Sequence, residues 1–477
     1  MSQQAEHHIT DVVVVGGGPT GENVAARAVR GGLDVVLVEA ELVGGECSFW
    51  ACMPSKALLR PGHALAATRR LPGAAGAVTR GLDVAGVLQR RDTFAEHWDD
   101  ADQVAWAEDA GVAVVRGRGR LVGERTVEVT AGGGDRTTWT ARRAVVLATG
   151  SEPVVPPIQG LAGTAFWGSR EATSAKQVPG RLAVIGGGVV AVELAQAFAR
   201  LGSQVTVVSH SRLLSRAEER AGELVADALA EDGVDLRVGV RCTTVAREGG
   251  DGEVTLTLDG GERVAADELL VATGRRPRTH DIGLDGLGLD PGQPLEVDAS
   301  GRVTAVDGDW LYAAGDVTGQ APLTHMGKYA GRITADAIAA RADGGAAGGD
   351  WSRHTATALS RAVTQVVFTD PEVVSVGLTS QQAEDAGIDH RVVDLDIAVA
   401  GSSLHADGYT GWARMVVDEE RRVLVGVTFV GQDVAELLHS ATVAVVGEVP
   451  LDRLWHAVPA FPTISEVWLR LLEEYGL

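Results

Sequence analysis

Two glycine-rich turns, each set between a β-branched run and a helical pattern, constrain this chain most. The first follows Asp11-Val12-Val13-Val14-Val15, a run of the kind buried on both faces of a parallel sheet. The turn reads Gly16-x-Gly18-x-x-Gly21, and a helical pattern continues over 22–30. A strand at 34–38 ends at Glu39. Strand, glycines, helix and an acid about 20 residues on have the form of a dinucleotide site. The helix N-terminus offers amide donors to a pyrophosphate, and Glu39 suits a ribose hydroxyl.

The plan then repeats. A strand at 182–185 meets Gly186-Gly187-Gly188-Val189-Val190-Ala191-Val192-Glu193, a helix to 199 and a strand at 204–208. Ala148-Thr149-Gly150-Ser151 closes the first unit, and Ala272-Thr273-Gly274 echoes it in the second. Strands are also expected at 113–119, which includes Gly119, and at 126–130, as parts of a small sheet, with another at 144–147. Helical patterns cover 56–70 and parts of 87–111. Two such units in one chain suit electron transfer between two bound cofactors.

The second strand of the second unit ends at Ser209, where NAD enzymes place a carboxylate. Ser209, His210 and Arg212 follow one another closely, with Arg216 beyond. Nothing there repels a 2′-phosphate, and Arg212 could pair with one, which favours NADPH over NADH. The alternative is that Arg212 and Arg216 are solvated surface charges.

Between the units lies Gly44-Gly45-Glu46-Cys47-Ser48-Phe49-Trp50-Ala51-Cys52-Met53-Pro54-Ser55-Lys56, with two of the three cysteines. In a regular helix, residues five apart are about 8–9 Å apart at Cα. A disulfide wants roughly 4.4–6.8 Å. If Cys47 and Cys52 bond, the backbone must bend, and a strained bond is easier to reduce. The same spacing also fits two buried thiols at a helix start. A two-cysteine metal site lacks neighbouring His or Cys ligands. Cys242 reads as a core residue of a strand.

Gly-Gly-x-Cys-(four residues)-Cys-x-Pro-Ser-Lys resembles the active-site signature of the flavoprotein disulfide reductases, the class I pyridine nucleotide-disulfide oxidoreductases. That family includes dihydrolipoamide dehydrogenase, glutathione reductase, mycothione reductase and mercuric reductase. The resemblance extends along almost the whole chain. Trp310-Leu311-Tyr312-Ala313-Ala314-Gly315-Asp316-Val317 resembles the second flavin motif, and Leu323-Thr324-His325-Met326 would lie beside the isoalloxazine. There the backbone of His325 would face the flavin, although its side chain could also be read as an acid or base. Val366-Val367-Phe368-Thr369-Asp370-Pro371-Glu372 resembles the start of a dimerisation domain.

The resemblance implies an α/β protein with two Rossmann-like dinucleotide-binding domains and a C-terminal α+β dimerisation domain. Residues 1–153 would be the first FAD-binding segment and 154–277 the NAD(P)H-binding domain. Residues 278–350 would be the second FAD segment, ending in a Gly-rich linker at 341–350, and 351–477 the dimerisation domain. It implies FAD in the first unit, nicotinamide in the second, and an isologous homodimer. Cys52 would lie against the flavin and Cys47 would meet the substrate. Lys56, four residues after Cys52 and so on the same helix face, would place charge near the flavin, with Glu193 as its partner.

One position departs. The family ends in His-Pro-Thr-x-Ser-Glu, but this chain reads Ala460-Phe461-Pro462-Thr463-Ile464-Ser465-Glu466. Phe461 can neither give nor take a proton, so ordinary disulfide exchange should lose roughly 10²–10⁴-fold. Glu466 remains without its usual partner, and His456 has no evident place in the site. Glu46 replaces the threonine common before the first cysteine. Phe49, Trp50, Trp455, Phe461 and Trp468 are expected as an aromatic pocket wall, or else as plain core. An acceptor that needs no protonated leaving thiol follows: a quinone, another flat acceptor, or a metal ion. Mercuric reduction is disfavoured because residues 468–477 lack the extra cysteine pair of that enzyme. The alternatives are a specific small-molecule disulfide, as for dihydrolipoamide dehydrogenase or mycothione reductase, and a non-catalytic flavin-binding redox sensor.

The 477-residue chain carries 64 acidic and 42 basic residues, a net charge of −22. That argues against nucleic acid or an anionic membrane as a partner. Residues 1–10 are polar without an apolar leader core, and no apolar run approaches a membrane span. A cytoplasmic protein is expected, where a close cysteine pair is more often catalytic or metal-binding than structural.

Overall fold

The computed structural model describes residues 6–250, 252–345 and 348–477. The chain forms two compact units and crosses between them repeatedly. The class is mixed α/β, as the sequence implies.

The first unit takes the chain up to Met53, then Ala95–Pro153 and Arg275–Ser360. Its seven-stranded sheet runs Ala113–Arg116, Val35–Glu39, Glu6–Val15, Arg136–Leu147, Thr126–Thr130, Arg118–Gly123, with Leu311–Ala313 also paired to Arg136–Leu147. The central pairings are parallel, with Val12–Val15 opposite Val35–Val38 on one side and Ala144–Leu147 on the other. Valines therefore point into cores on both faces, which is why the run carries no polar alternation. The strand is longer than the run suggests, because Glu6–Thr10 pairs with Thr137–Ala141. The single strand expected at 113–119 is two strands. Gly117, at φ 156°, breaks it, and the pieces pair with different neighbours. These strands and Thr126–Thr130 belong to the large sheet, not to a small one of their own.

The second unit holds Pro54–Phe94, Val154–Gly274 and Arg361–Leu477. A four-stranded parallel sheet runs Asp235–Val238, Gln204–Ser209, Arg181–Ile185, Glu268–Val271. A five-stranded antiparallel sheet runs Thr364–Val367, Glu372–Gly377, Val423–Gly431, Trp412–Asp418, His390–Asp396. The two share a core in which Phe198 and Leu194 meet Val367, Val373, Trp412 and Val430. Helix Leu438–Val446 is entered through a 3₁₀ turn, Val434–Leu437. The expected linker at 341–350 starts later than its composition suggests: Thr324–Ala342 is one helix, and Ala346 and Ala347 lie outside the described residues. No helix among the described residues is long and apolar enough to cross a membrane.

Candidate functional site: two phosphate turns and a thiol pair

The two glycine turns share one constraint. Gly16 has φ 106°, and a Cβ there would stand 2.3 Å from the carbonyl oxygen of Ala148. Gly186 has φ 130°, and its Cβ would stand 2.3 Å from the carbonyl oxygen of Ala272. The Ala-Thr-Gly segments thus close over the first glycine of each turn, and no L side chain fits. The middle glycines, Gly18 and Gly188, face open space, and each caps the helix that follows, Pro19–Arg30 or Val189–Arg200. Gly21 packs against Gly16, where a Cβ would meet its oxygen at 1.8 Å. An open backbone cradle at a helix N-terminus fits a pyrophosphate in both units.

The strand ends differ in charge. Glu39 accepts the N–H of Gly17 at 2.5 Å and that of Glu41 at 2.7 Å, and burial pushes its carboxyl above the ordinary range. Ser209 takes the corresponding place: a Cβ on Gly187 would meet its hydroxyl at 2.5 Å. The Arg212 guanidinium, offered by the sequence to a 2′-phosphate, is turned into its own loop. It donates to the carbonyls of Leu214, Ser215 and Ala217 at 3.2, 3.1 and 2.7 Å. His210 and Arg216 are exposed beside it.

In the first unit, Gly44 donates its N–H to Gly17 at 2.8 Å, and a Cβ on Gly45 would stand 2.8 Å from the Cα of Gly18. The cysteine segment is thereby pressed onto the phosphate turn. Asp100 accepts the N–H of Val43 and the Arg116 guanidinium, and Trp98 donates to the Phe49 carbonyl at 3.1 Å. The chain bends between the cysteines: helix Gly45–Phe49 ends at Trp50, φ −138°, and Cys52–Arg69 begins anew. Cys47 and Cys52 are free thiols here, hydrogen-bonded to each other. Cys52 Sγ also lies 3.2 Å from Thr324 Oγ1. The bond to Cys52, and then burial, push the Cys47 thiol up. The Thr324 hydroxyl and the Lys328 charge pull the other way.

Around this lie the remaining flavin-motif residues of the first unit. Ser151 donates to Asp316 Oδ2 at 2.6 Å and accepts from Arg275 Nε at 2.8 Å. Thr149 donates to the Arg278 carbonyl at 2.7 Å, and Gly150 accepts the Arg278 N–H at 2.9 Å. Glu46 stands 3.9 Å from Arg275 and 4.0 Å from Arg278. Leu323 caps the helix that starts at Thr324, and the His325 side chain is exposed. Gly119 is buried against Val15 and Val38 at the ends of the central strands.

In the second unit, Lys56 donates to Glu193 Oε2 at 2.7 Å. Gly274, at φ 126°, accepts the Val154 N–H at 3.0 Å. Phe461 is 76% exposed. Glu466 is buried; its Oε1 accepts from Arg470 at 2.7 Å, while Oε2 has no hydrogen-bond partner among the described residues. The aromatic wall is not a unit. Phe49 is fully buried against Trp50, and Trp468 packs edge-on to Phe429 at 5.4 Å and donates to Ser440. Large rings this well covered stabilise their own cores. Trp455 and Phe461 stay at the surface.

Sequence reading missed Lys328, Arg470 and the Arg275–Arg278 pair. Two of these have a spacing signal: Lys328 follows Thr324 by four, and Arg470 follows Glu466 by four.

The sequence pattern described as pyridine nucleotide-disulphide oxidoreductase matches residues 10–341, and that of its dimerisation domain matches 363–471. Mercuric reductase from Shigella flexneri is 34% identical, over 96% of this chain and 78% of that protein. Dihydrolipoyl dehydrogenase from Pseudomonas aeruginosa is 32% identical, over 96% and 95%. The crystal structure of LpdA from Mycobacterium tuberculosis superposes with a TM-score of 0.82 at 26% identity, over 98% and 100% of the chains. A Cu(II) complex of the HOCl-induced flavoprotein disulfide reductase RclA from Escherichia coli shares the fold, with a TM-score of 0.82 at 24% identity, over 98% and 99%.

Proposed function

We propose that this chain, which belongs to the pyridine nucleotide-disulphide oxidoreductase family, moves an electron pair from NADPH to an acceptor that needs no proton from the protein. Bound FAD would supply the two-electron relay between nicotinamide and thiols. Gly16, Gly18, Gly21 and Glu39 would hold its nucleotide half, and Asp316 with Leu323–His325 its flavin half. Gly186, Gly188 and Ser209 would hold the nicotinamide nucleotide. Arg216 is the exposed cation left for a 2′-phosphate, with the exposed His210 beside it as a hydrogen-bond donor, since Arg212 braces its loop. NADH is the weaker alternative.

Cys47 and Cys52 would cycle between disulfide and dithiol, Cys47 facing the acceptor. The observation that carries the reading is Phe461, an exposed ring where the family signature has histidine. Glu466, which would orient that histidine, instead holds Arg470. The segment 460–466 therefore offers no side chain of near-neutral pKa to protonate a departing thiolate. A quinone or similar flat acceptor takes electrons without that step. The dimerisation-domain match supports a homodimer.

The test is an anaerobic titration followed by an acceptor screen. Reduction should consume two electrons beyond those of the flavin. Quinone turnover with NADPH should exceed turnover of lipoamide, glutathione disulfide and mercuric ion. Disulfide turnover as fast as that of a histidine-bearing relative would overturn the reading.

A further inference from the structure

Helices Pro19–Arg30 and Thr324–Ala342 touch backbone to backbone. A Cβ on Gly327 would meet the Thr20 hydroxyl at 2.4 Å, and one on Gly331 would meet the Thr20 carbonyl at 2.8 Å. Lys328 sits between these two glycines, at this seam. It is four residues after Thr324, whose hydroxyl meets Cys52 at 3.2 Å, so Thr324 and Lys328 share a helix face. A long helical side chain leans towards the N-terminus of its helix, here towards Thr324 and the thiols. Lys328 is half-buried, and no hydrogen bond or ion pair engages it among the described residues. The titratable groups that feel its charge are Cys47 and, on the facing helix, Glu22; beyond Glu22 lies Glu39. Burial raises the Glu22 carboxyl to about 7, with Lys328 opposing.

The chemistry needs a cation there. Transfer of a hydride equivalent from a dihydronicotinamide to a disulfide breaks the S–S bond and forms one S–H. The products are a nicotinamide cation, one thiol and one thiolate. The pair gains one negative charge unless a proton enters, and Phe461 brings none.

We propose that Lys328 is a positioning residue for the thiol pair: its ammonium balances the charge left on sulfur after reduction, from within the same chain. The inference rests on the reading that Cys47 and Cys52 cycle. Glu22 tunes it, because its carboxylate competes with the thiolate for the same cation.

The test is iodoacetamide alkylation of the NADPH-reduced holoenzyme across pH, read at the Cys47 peptide by mass spectrometry. Lys328→Met should raise the pH midpoint by about one unit, which slows alkylation about tenfold below it. Lys328→Arg should restore the wild-type midpoint, and Glu22→Gln should move it down. A merely structural lysine would leave all three midpoints together. An unchanged midpoint in Lys328→Met that still binds flavin overturns the inference alone. If Lys328→Met does not fold, an unmoved midpoint in Glu22→Gln does so. If reduced wild type exposes no new pair of thiols, the cycling itself falls, and the inference with it.

Discussion

Glu193 shares its two carboxylate oxygens between Lys56 Nζ, at 2.7 Å, and the N–H of Phe368, at 2.9 Å. The carboxylate is almost fully buried, and Lys56 also stands over the Phe368 ring at 4.8 Å. One acid thus ties helices Cys52–Arg69 and Val189–Arg200 to the edge of the five-stranded sheet. Glu193→Ala strands a cation and a backbone donor together, and should cost about 2–4 kcal/mol. Glu193→Gln keeps an acceptor and should cost less. Urea denaturation of the two variants checks the order; equal losses would mean that the retained acceptor contributes nothing and the charge carries the whole effect.

On the proposed function, the glycine turns separate the two nucleotides. Gly16→Ala and Gly186→Ala each drive a Cβ against a carbonyl and force an L residue to positive φ. Such strain costs about 1–3 kcal/mol, or roughly fivefold in affinity at its lower end. Gly16→Ala should purify depleted of flavin, read from visible absorbance. Gly186→Ala should keep its flavin but raise KM for the nicotinamide about fivefold or more.

Glu372 should make stability fall with rising pH. Burial, chiefly, lifts its carboxyl from 4.5 to about 7, against an N–H from Ala435 at 2.8 Å. Between those values the folded state holds a proton that the unfolded state has released. Stability is therefore greatest below pH 4.5 on this account and declines until pH 7, by about 3 kcal/mol. Glu372→Gln should remove the decline, raising Tm at pH 8 and leaving it nearly unchanged at pH 5. A parallel shift at both pH values would count against the assignment.

Within the dimerisation-domain match, Leu404, Val443, Val446, Trp455, Val458 and Phe461 are all exposed, Val458 at 83%. The proposed homodimer would cover apolar groups such as these. Sedimentation should give twice the chain mass, and Val458→Asp should shift it towards monomer at micromolar concentration. A monomeric wild type would refute the dimer.

Both phosphate turns, the paired cysteines and the exchange of histidine for Phe461 are legible in the amino-acid sequence. Glycine spacing, a β-branched run and a helix start act over a few residues, so linear order carries them. The bend at Trp50 was foreseeable for the same reason: two cysteines five apart cannot approach along one straight helix. What Arg212 holds, what Glu466 holds, how Gly117 splits one expected strand between two neighbours, and the burial of Phe49 and Trp468 were decided by tertiary structure. So was the place of Lys328. These outcomes depend on which distant segment arrives alongside: Glu193 meets a lysine 137 positions away, and Cys52 meets a threonine 272 positions away. Local spacing says which atoms seek partners, and only the folded chain says which partners come within reach.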